Sequence, residues 1–188
     1  MLMCWQWYEE IRRHCYSRKE NKHGIGNVMQ YRAGHRLESN DILNVFENSD
    51  ILLTTYTEVN ASYPKAIIPP HLTTAQAKDE YWRDFYEREK GPLHAMKFLR
   101  IVLDEAQAIK NHRSLTSLAC RALNGRFVWA ITGTPIQNSI KEFYPYFKLL
   151  RVPHTGSYKV FKSNFATPND PDGSEKLNVF LRQFMIRR

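Results

Sequence analysis

Asp104 and Glu105 stand side by side at the end of an almost unbroken apolar run, Phe98, Leu99, Ile101, Val102 and Leu103. Hard divalent cations such as magnesium take oxygen ligands, often with several waters retained. Nucleotide hydrolysis also needs a carboxylate that orients or activates the attacking water. Adjacent acids can divide these roles, because successive side chains leave a strand in different directions. The same pair can instead cap a following helix, whose N-terminus favours carboxylates. Gln107 can both donate and accept hydrogen bonds, and so relay a change at the acids to a neighbouring strand. From spacing alone it reads first as a solvent-facing helix residue.

A second group is I-T-G-T-P-I-Q-N, residues 131–138. Thr132 and Thr134 bracket Gly133 at the end of another apolar run. Two hydroxyls and a permissive backbone there suit the sensing of a neighbouring site. Pro135 keeps Thr134 out of helical geometry. The competing reading is a helix-entry turn with ordinary capping. A third group is Thr54-Thr55-Tyr56, closing I-L-L-T-T-Y. Hydroxyls and backbone amides at a strand end can hold a nucleic-acid phosphate, although threonine is also common in strands by propensity alone.

The elements that must position these groups alternate. An amphipathic helix at the start carries Cys4, Tyr8, Ile11 and Cys15 on one face. Val28–Tyr31 reads as a short strand, and Ser39 or Asn40 can cap a helix burying Ile42, Leu43 and Phe46. Residues 51–56 read as a strand, and Asn60 to Pro70 as a loop punctuated by Pro64, Pro69 and Pro70. Thr73 or Thr74 opens a charged helix striped by Trp82, Phe85 and Tyr86, which Gly91 and Pro92 end. Residues 98–103 form the central strand. Leu115, Leu118, Ala119, Ala122 and Leu123 recur at helical spacing behind Ser114. Phe127–Thr132 is a second buried strand. Ser139 and Glu142 make a capping box ahead of a helix burying Ile140, Phe143, Tyr144, Phe147 and Leu150. A short helix near 158–165, the polar loop T-P-N-D-P-D-G and a last helix with Leu177, Phe180, Leu181 and Phe184 on one face complete the chain. Runs apolar on both faces imply strands covered by helices on each side. The expected class is therefore α/β, a mostly parallel sheet with helices on both faces. Residues 60–93 read as an insertion and 139–188 as a helical C-terminal part.

Composition narrows the class further. With 43% hydrophobic and 13% aromatic residues the chain is not disordered. Its formal net charge of +8 favours an anionic partner such as nucleic acid, although the basic residues are scattered and also suit plain solubility. Arg12, Arg13, His14, Arg18, Lys19, Lys22 and His23 form the one dense group. Three widely spaced cysteines, Cys4, Cys15 and Cys120, fit neither a disulfide framework nor a zinc site and suit a reducing compartment, with Cys4 and Cys15 expected in the core. No apolar stretch approaches the roughly 20 residues of a membrane span, so no membrane partner is expected. The first residues lack a secretory leader and read like the middle of a helix, as though the chain began inside a domain.

Taken together, D-E-A-Q-A-I-K-N at 104–111 and I-T-G-T-P-I-Q-N at 131–138 resemble motifs II and III of the SWI/SNF-type ATPases of helicase superfamily 2. D-I-L-L-T-T-Y at 50–56 resembles motif Ib, W-Q-W-Y-E-E-I the helix after motif Ia, and F-M-I-R-R the close of the first lobe. The resemblance covers nearly the whole chain and implies a partial RecA-like lobe. It implies that Asp104 ligates the Mg2+ of bound ATP through water and that Glu105 activates the hydrolytic water. Gln107, where many relatives carry histidine, would couple to motif III through Thr132 or Thr134. Thr54 and Thr55 would approach the DNA backbone. The implied partners are duplex DNA, chromatin and a second ATPase lobe, and the implied setting is chromatin remodelling or DNA repair in the nucleus.

No G-x-x-x-x-G-K-[ST] occurs in these 188 residues. The phosphate loop is expected to precede residue 1 and the second lobe to follow residue 188. Rival readings are a non-catalytic DNA- or chromatin-binding module and an incomplete gene model. The 188-residue chain alone is therefore expected to hydrolyse ATP negligibly. A phosphate-release assay checks this, and turnover that Glu105→Gln abolishes would refute it.

Overall fold

Nearly unbroken apolar runs closed by Thr and Asp, alternating with period-3.6 stripes, fold as mixed α/β structure in the computed structural model, which describes residues 2–34, 41–167 and 171–186. Two compact units are present, the first comprising Met1–Phe98 with Ala122–Asn124, the second Leu99–Arg121 with Gly125–Arg188.

The first unit begins with α1 (Leu2–His14), β1 (Val28–Tyr31), α2 (Ile42–Glu47) and β2 (Ile51–Thr54). β1 and β2 pair in parallel, with Val28 opposite Ile51 and Tyr31 opposite Thr54. A parallel pair needs a crossover, and α2 lies within it. Phe46 of α2 is buried edge-on against Tyr31, ring centroids 5.0 Å apart. Leu43, expected inside, is exposed, and Val45 joins Ile42 and Phe46 on the inward side. Ser39 and Asn40, the expected caps, lie outside the described residues. Cys4 is buried, its thiol donating to Thr54 O at 3.2 Å, and burial raises its pKa. Cys15 is exposed, contrary to expectation, because α1 ends at His14 and the next residue leaves its face.

The strand read as 51–56 stops at Thr54. Thr55 caps α3 (Tyr56–Ser62), its hydroxyl accepting the Glu58 N–H, so the proline-rich loop starts only after Ser62. Thr74 likewise caps α4 (Ala75–Glu89). Gly91 and Pro92 do not merely end that helix. Gly91 is the N-cap, and Pro92 the first residue, of α5 (Pro92–Ala95), where a missing N–H is harmless. Tyr63, Trp82, Tyr86 and His94 pack ring against ring between these helices. The Tyr86 hydroxyl donates to Ala122 O, and burial pushes its pKa up to about 12.

The second unit is built on β3 (Lys97–Leu103) and β4 (Asn124–Ala130), which pair with each other. Ile101 and Leu103 are buried, whereas Val102, Phe127 and Trp129 are 53%, 46% and 55% exposed. The expectation that these strands are buried on both faces therefore holds for one face only, since an apolar run alone cannot say which face finds a cover. A 3₁₀ turn, Ala106–Ile109, and α6 (Leu115–Ala122) connect them. Ser114 Oγ accepts the Ser117 N–H at the start of α6. The inward residues are Ser117, Ala119, Cys120 and Leu123, and Leu118 is exposed, so the buried face is turned from the apolar stripe. Asn124-Gly125 follows directly as the start of β4.

After β4 come a 3₁₀ turn, Ile140–Glu142, then α7 (Phe143–Leu149), α8 (Tyr158–Phe165) and α9 (Pro171–Phe184). The polar stretch up to Gly173 is thus already helical from Pro171. Phe161 is the centre of this helical layer, fully buried with the rings of Tyr144, Phe147 and Phe165 within 5.5 Å. Phe161→Ala is expected to lower stability by about 3–5 kcal/mol, the range for emptying a buried aromatic site. Urea denaturation of the two chains checks this.

Candidate functional site

The site grows from the shared ends of β3 and β4. Ile131 N–H donates to Leu103 O at 2.8 Å, and Ala106 N–H donates to Ile131 O at 2.9 Å. A regular parallel ladder leaves one residue between such bonded positions, whereas here there are two, Asp104 and Glu105. The surplus residue is accommodated by Glu105, which adopts a left-handed backbone with φ 49° and ψ 48°. That conformation costs a non-glycine residue about 1–2 kcal/mol. It turns the chain into the 3₁₀ turn. Asp104 is half-buried and accepts the Glu105 N–H through Oδ1 at 2.9 Å, while the Glu105 side chain is exposed.

Glu105, Gln107, Thr132 and Thr134 are brought into one hydrogen-bonded chain. Thr134 N–H donates to Thr132 Oγ1 at 3.1 Å. Thr132 Oγ1–H donates to Gln107 Oε1 at 2.7 Å. Gln107 Nε2 donates to Glu105 Oε2 at 2.6 Å. Gln107 is therefore no idle surface residue, and the threonines do more than cap a helix. Gly133 is not at positive φ, and a Cβ there would meet nothing within 4 Å, so neither the backbone nor the space around it demands glycine.

A second connection runs beside the first. Lys110 Nζ donates to Gln137 Oε1. The Gln137 N–H in turn donates to Glu142 Oε2 at 2.7 Å. Glu142 was expected to cap the helix reciprocally with Ser139. Its carboxylate instead holds the loop before that residue, while Ser139 Oγ accepts the Lys141 N–H. Lys110, Gln137 and this role of Glu142 escape sequence reading. The available signal is that residues three apart eclipse in a 3₁₀ turn, which puts Lys110 on the side of Gln107.

Thr54 and Thr55 belong to the first unit. Thr54 Oγ1 donates to Tyr31 O at 2.8 Å, and Thr55 Oγ1 is taken up as the cap of α3. Among the described residues no group of three or more His, Cys, Asp or Glu could hold a metal ion by itself. Asp104 presents a hard oxygen donor, which suits a cation whose other ligands are water and phosphate oxygens. Among the described residues no helix is long and apolar enough to cross a membrane.

Known proteins share this arrangement of sequence and fold. The family described as the SNF2-related domain matches residues 1–188. The helicase-like transcription factor CHR27 of Arabidopsis thaliana is 43% identical over 105 residues, covering 54% of this chain and 10% of that protein. The DNA repair protein RAD5 of Cryptococcus neoformans is 32% identical over 188 residues, 97% of this chain and 14% of its own length. The SWI2/SNF2 ATPase core of Sulfolobus solfataricus, solved in complex with dsDNA, superposes with a TM-score of 0.63 at 26% identity, over 97% of this chain and 31% of that one. The chain thus spans a small part of each relative. It belongs to the SNF2-related family, and its fold is that of the SNF2 ATPase core.

Proposed function

We propose that this chain forms part of the first, ATP-binding lobe of an SNF2-type translocase that couples ATP hydrolysis to movement on duplex DNA, in chromatin remodelling or DNA repair in the nucleus. In this reading residues 60–93 are an insertion in the lobe and 139–188 its helical part. The observation that carries the proposal is the bridge of Gln107 between Glu105 and Thr132.

Asp104 would hold Mg2+ through water, and the cation would neutralise charge developing on the ATP phosphates. Glu105 is exposed and its carboxylate accepts from Gln107, so it is oriented, as a group that positions or deprotonates water must be. Gln107 passes any displacement of Glu105 to Thr132, and Thr132 passes it to the backbone of Thr134. Hydrolysis at the acids would thereby reset the loop 132–138. Thr54 and Thr55 at the end of β2 would approach a DNA phosphate with backbone N–H groups, their hydroxyls being used within the fold. Duplex DNA as partner is supported by the DNA complex of the archaeal relative and by the net charge of +8.

The same charge also suits a module that binds DNA without ATP. Duplex binding indifferent to nucleotide and to Asp104→Ala would favour that second reading.

The relay is tested in an ATPase assembled from this lobe, a phosphate-loop segment and a second lobe. Gln107→Ala is expected to lower the DNA-stimulated kcat about 10²-fold, the scale for loss of one positioned catalytic contact, with KM for ATP little changed. Thr132→Ser, which keeps the hydroxyl, is expected to retain most activity and Thr132→Val to lose it. A kcat unchanged in both Gln107→Ala and Thr132→Val would refute the relay.

A further inference from the structure

We propose that Lys110 is a positioning residue of the ATP site: with Gln137 and Glu142 it clamps the far end of the loop 132–138, so that this loop and the turn bearing Gln107 move together. The clamp rests on hydrolysis at Glu105 with Gln107 as its relay, and gives that relay a second attachment.

The loop has little else to hold it. Among the described residues, none of residues 132–138 makes a backbone–backbone hydrogen bond. Gly133, Thr134, Ile136, Gln137 and Asn138 are exposed. Gly133 is surrounded by open space, so the chain can pivot there. Side chains therefore set where the loop lies. At its near end Thr132 is bonded to Gln107 at 2.7 Å. One such bond fixes a point and leaves the rest of the loop to swing about it.

Lys110 supplies the second point. It ends the 3₁₀ turn with a helical backbone, φ −53° and ψ −30°, and its N–H donates to Gln107 O at 3.1 Å. Residues three apart eclipse in such a turn, so Gln107 and Lys110 leave it on the same side. Gln107 reaches the start of the loop, and Lys110 Nζ donates to Gln137 Oε1 near its other end. The donor is an ammonium, and a charge-assisted hydrogen bond is roughly twice as strong as a neutral one. Gln137 is also held from behind. Its N–H donates to Glu142 Oε2 at 2.7 Å, and the Asn138 N–H and Nδ2 donate to the same carboxylate at 3.4 Å. Glu142 directly precedes α7, whose Phe143, Tyr144 and Phe147 are buried, so the carboxylate is anchored on a core element.

Two attachments to one turn fix the direction of the loop as well as its place. A displacement of Glu105 that Gln107 passes to Thr132 is then not lost by pivoting at Gly133. It carries through Gln137 to the Glu142 carboxylate and the start of α7. Without Lys110 the loop keeps its bond to Gln107 and loses its direction, and misplacement of this kind far from the reacting atoms is costly to rate.

The clamp is tested in the same ATPase assembled from this lobe, a phosphate-loop segment and a second lobe. Lys110→Met keeps the aliphatic stem and removes the ammonium. It is expected to lower the DNA-stimulated kcat about ten-fold, the effect of one lost charge-assisted hydrogen bond, with KM for ATP and the melting temperature little changed. Lys110→Arg, which still donates, is expected to restore most of the rate, and Glu142→Leu to lower it as Lys110→Met does. Lys110→Met combined with Gln107→Ala should cost no more than Gln107→Ala alone, because both contacts position one loop. Glu105→Gln is the control for the underlying chemistry: full turnover in that variant would place hydrolysis elsewhere, and the relay and the clamp would fall together. With Glu105→Gln inactive, three results overturn the clamp alone. They are wild-type kcat in Lys110→Met or Glu142→Leu, Lys110→Arg as slow as Lys110→Met, and a double variant that loses the product of the two single effects.

Discussion

The hydrogen bond from Thr132 to Gln107 has only one workable orientation, and the candidate site is arranged around that fact. Thr132 Oγ1 already accepts the Thr134 N–H, so its own proton is free to go to Gln107. The Gln107 amide must then present oxygen to Thr132 and nitrogen to Glu105, a carboxylate that can only accept. Every donor in the series points toward the Glu105 carboxylate. Hydrogen bonds aligned in this way polarise one another, and removing any member weakens the others. The strand-end bonds from Ile131 to Leu103 and from Ala106 to Ile131 fix the spacing over which the side chains must reach. The bulge at Asp104-Glu105 therefore keeps the Glu105 carboxylate within reach of Gln107.

Much of this site was legible from residue order, and the limits of the reading have physical causes. Apolar runs ending in D-E and in T-G-T pointed to two strand ends, and both are strand ends. Spacing could not decide whether Gln107 faced solvent, because that depends on a turn of three residues per repeat rather than 3.6. The same ambiguity concealed Lys110. Glu142 was assigned to a capping box from its distance to Ser139, but the loop amides of Gln137 and Asn138 lie within its reach and take the carboxylate instead. Local sequence gives the candidates for a hydrogen bond, and the path of the loop chooses among them.

Errors in the fold reading follow the same division. Period and capping chemistry placed β1, α4, α8 and the body of α7 well. Thr55 was read into a strand because threonine suits strands and caps alike, and its hydroxyl bond to Glu58 N–H decides for the cap. The inward side of α6 turned from Leu118 toward Ser117 and Cys120, a choice made by what the helix packs against. Cys120 is so completely enclosed that burial pushes its thiol pKa up to about 12. The outer face of β3 and β4 is apolar in sequence yet exposed at Val102, Phe127 and Trp129. Hydrophobicity records that a face can be covered, and only the surrounding chain determines whether it is.

Positive φ is where a sequence reading is least able to help. Among the described residues, Glu105, Arg151 and His154 are the non-glycine residues with this backbone. Glycine would be easier at each, by about 1–2 kcal/mol, which is a notable fraction of a stability of about 5–15 kcal/mol. No local propensity calls for a charged or aromatic side chain in such a turn. At Glu105 the gain is plain, since a glycine would leave Gln107 without its acceptor and the relay without its end. Arg151 stands in the turn that ends α7, where its N–H closes the helix onto Lys148 O, and His154 follows in the same loop. Strain by itself assigns no role, and at Glu105 it is the contact with Gln107 that gives the turn its meaning.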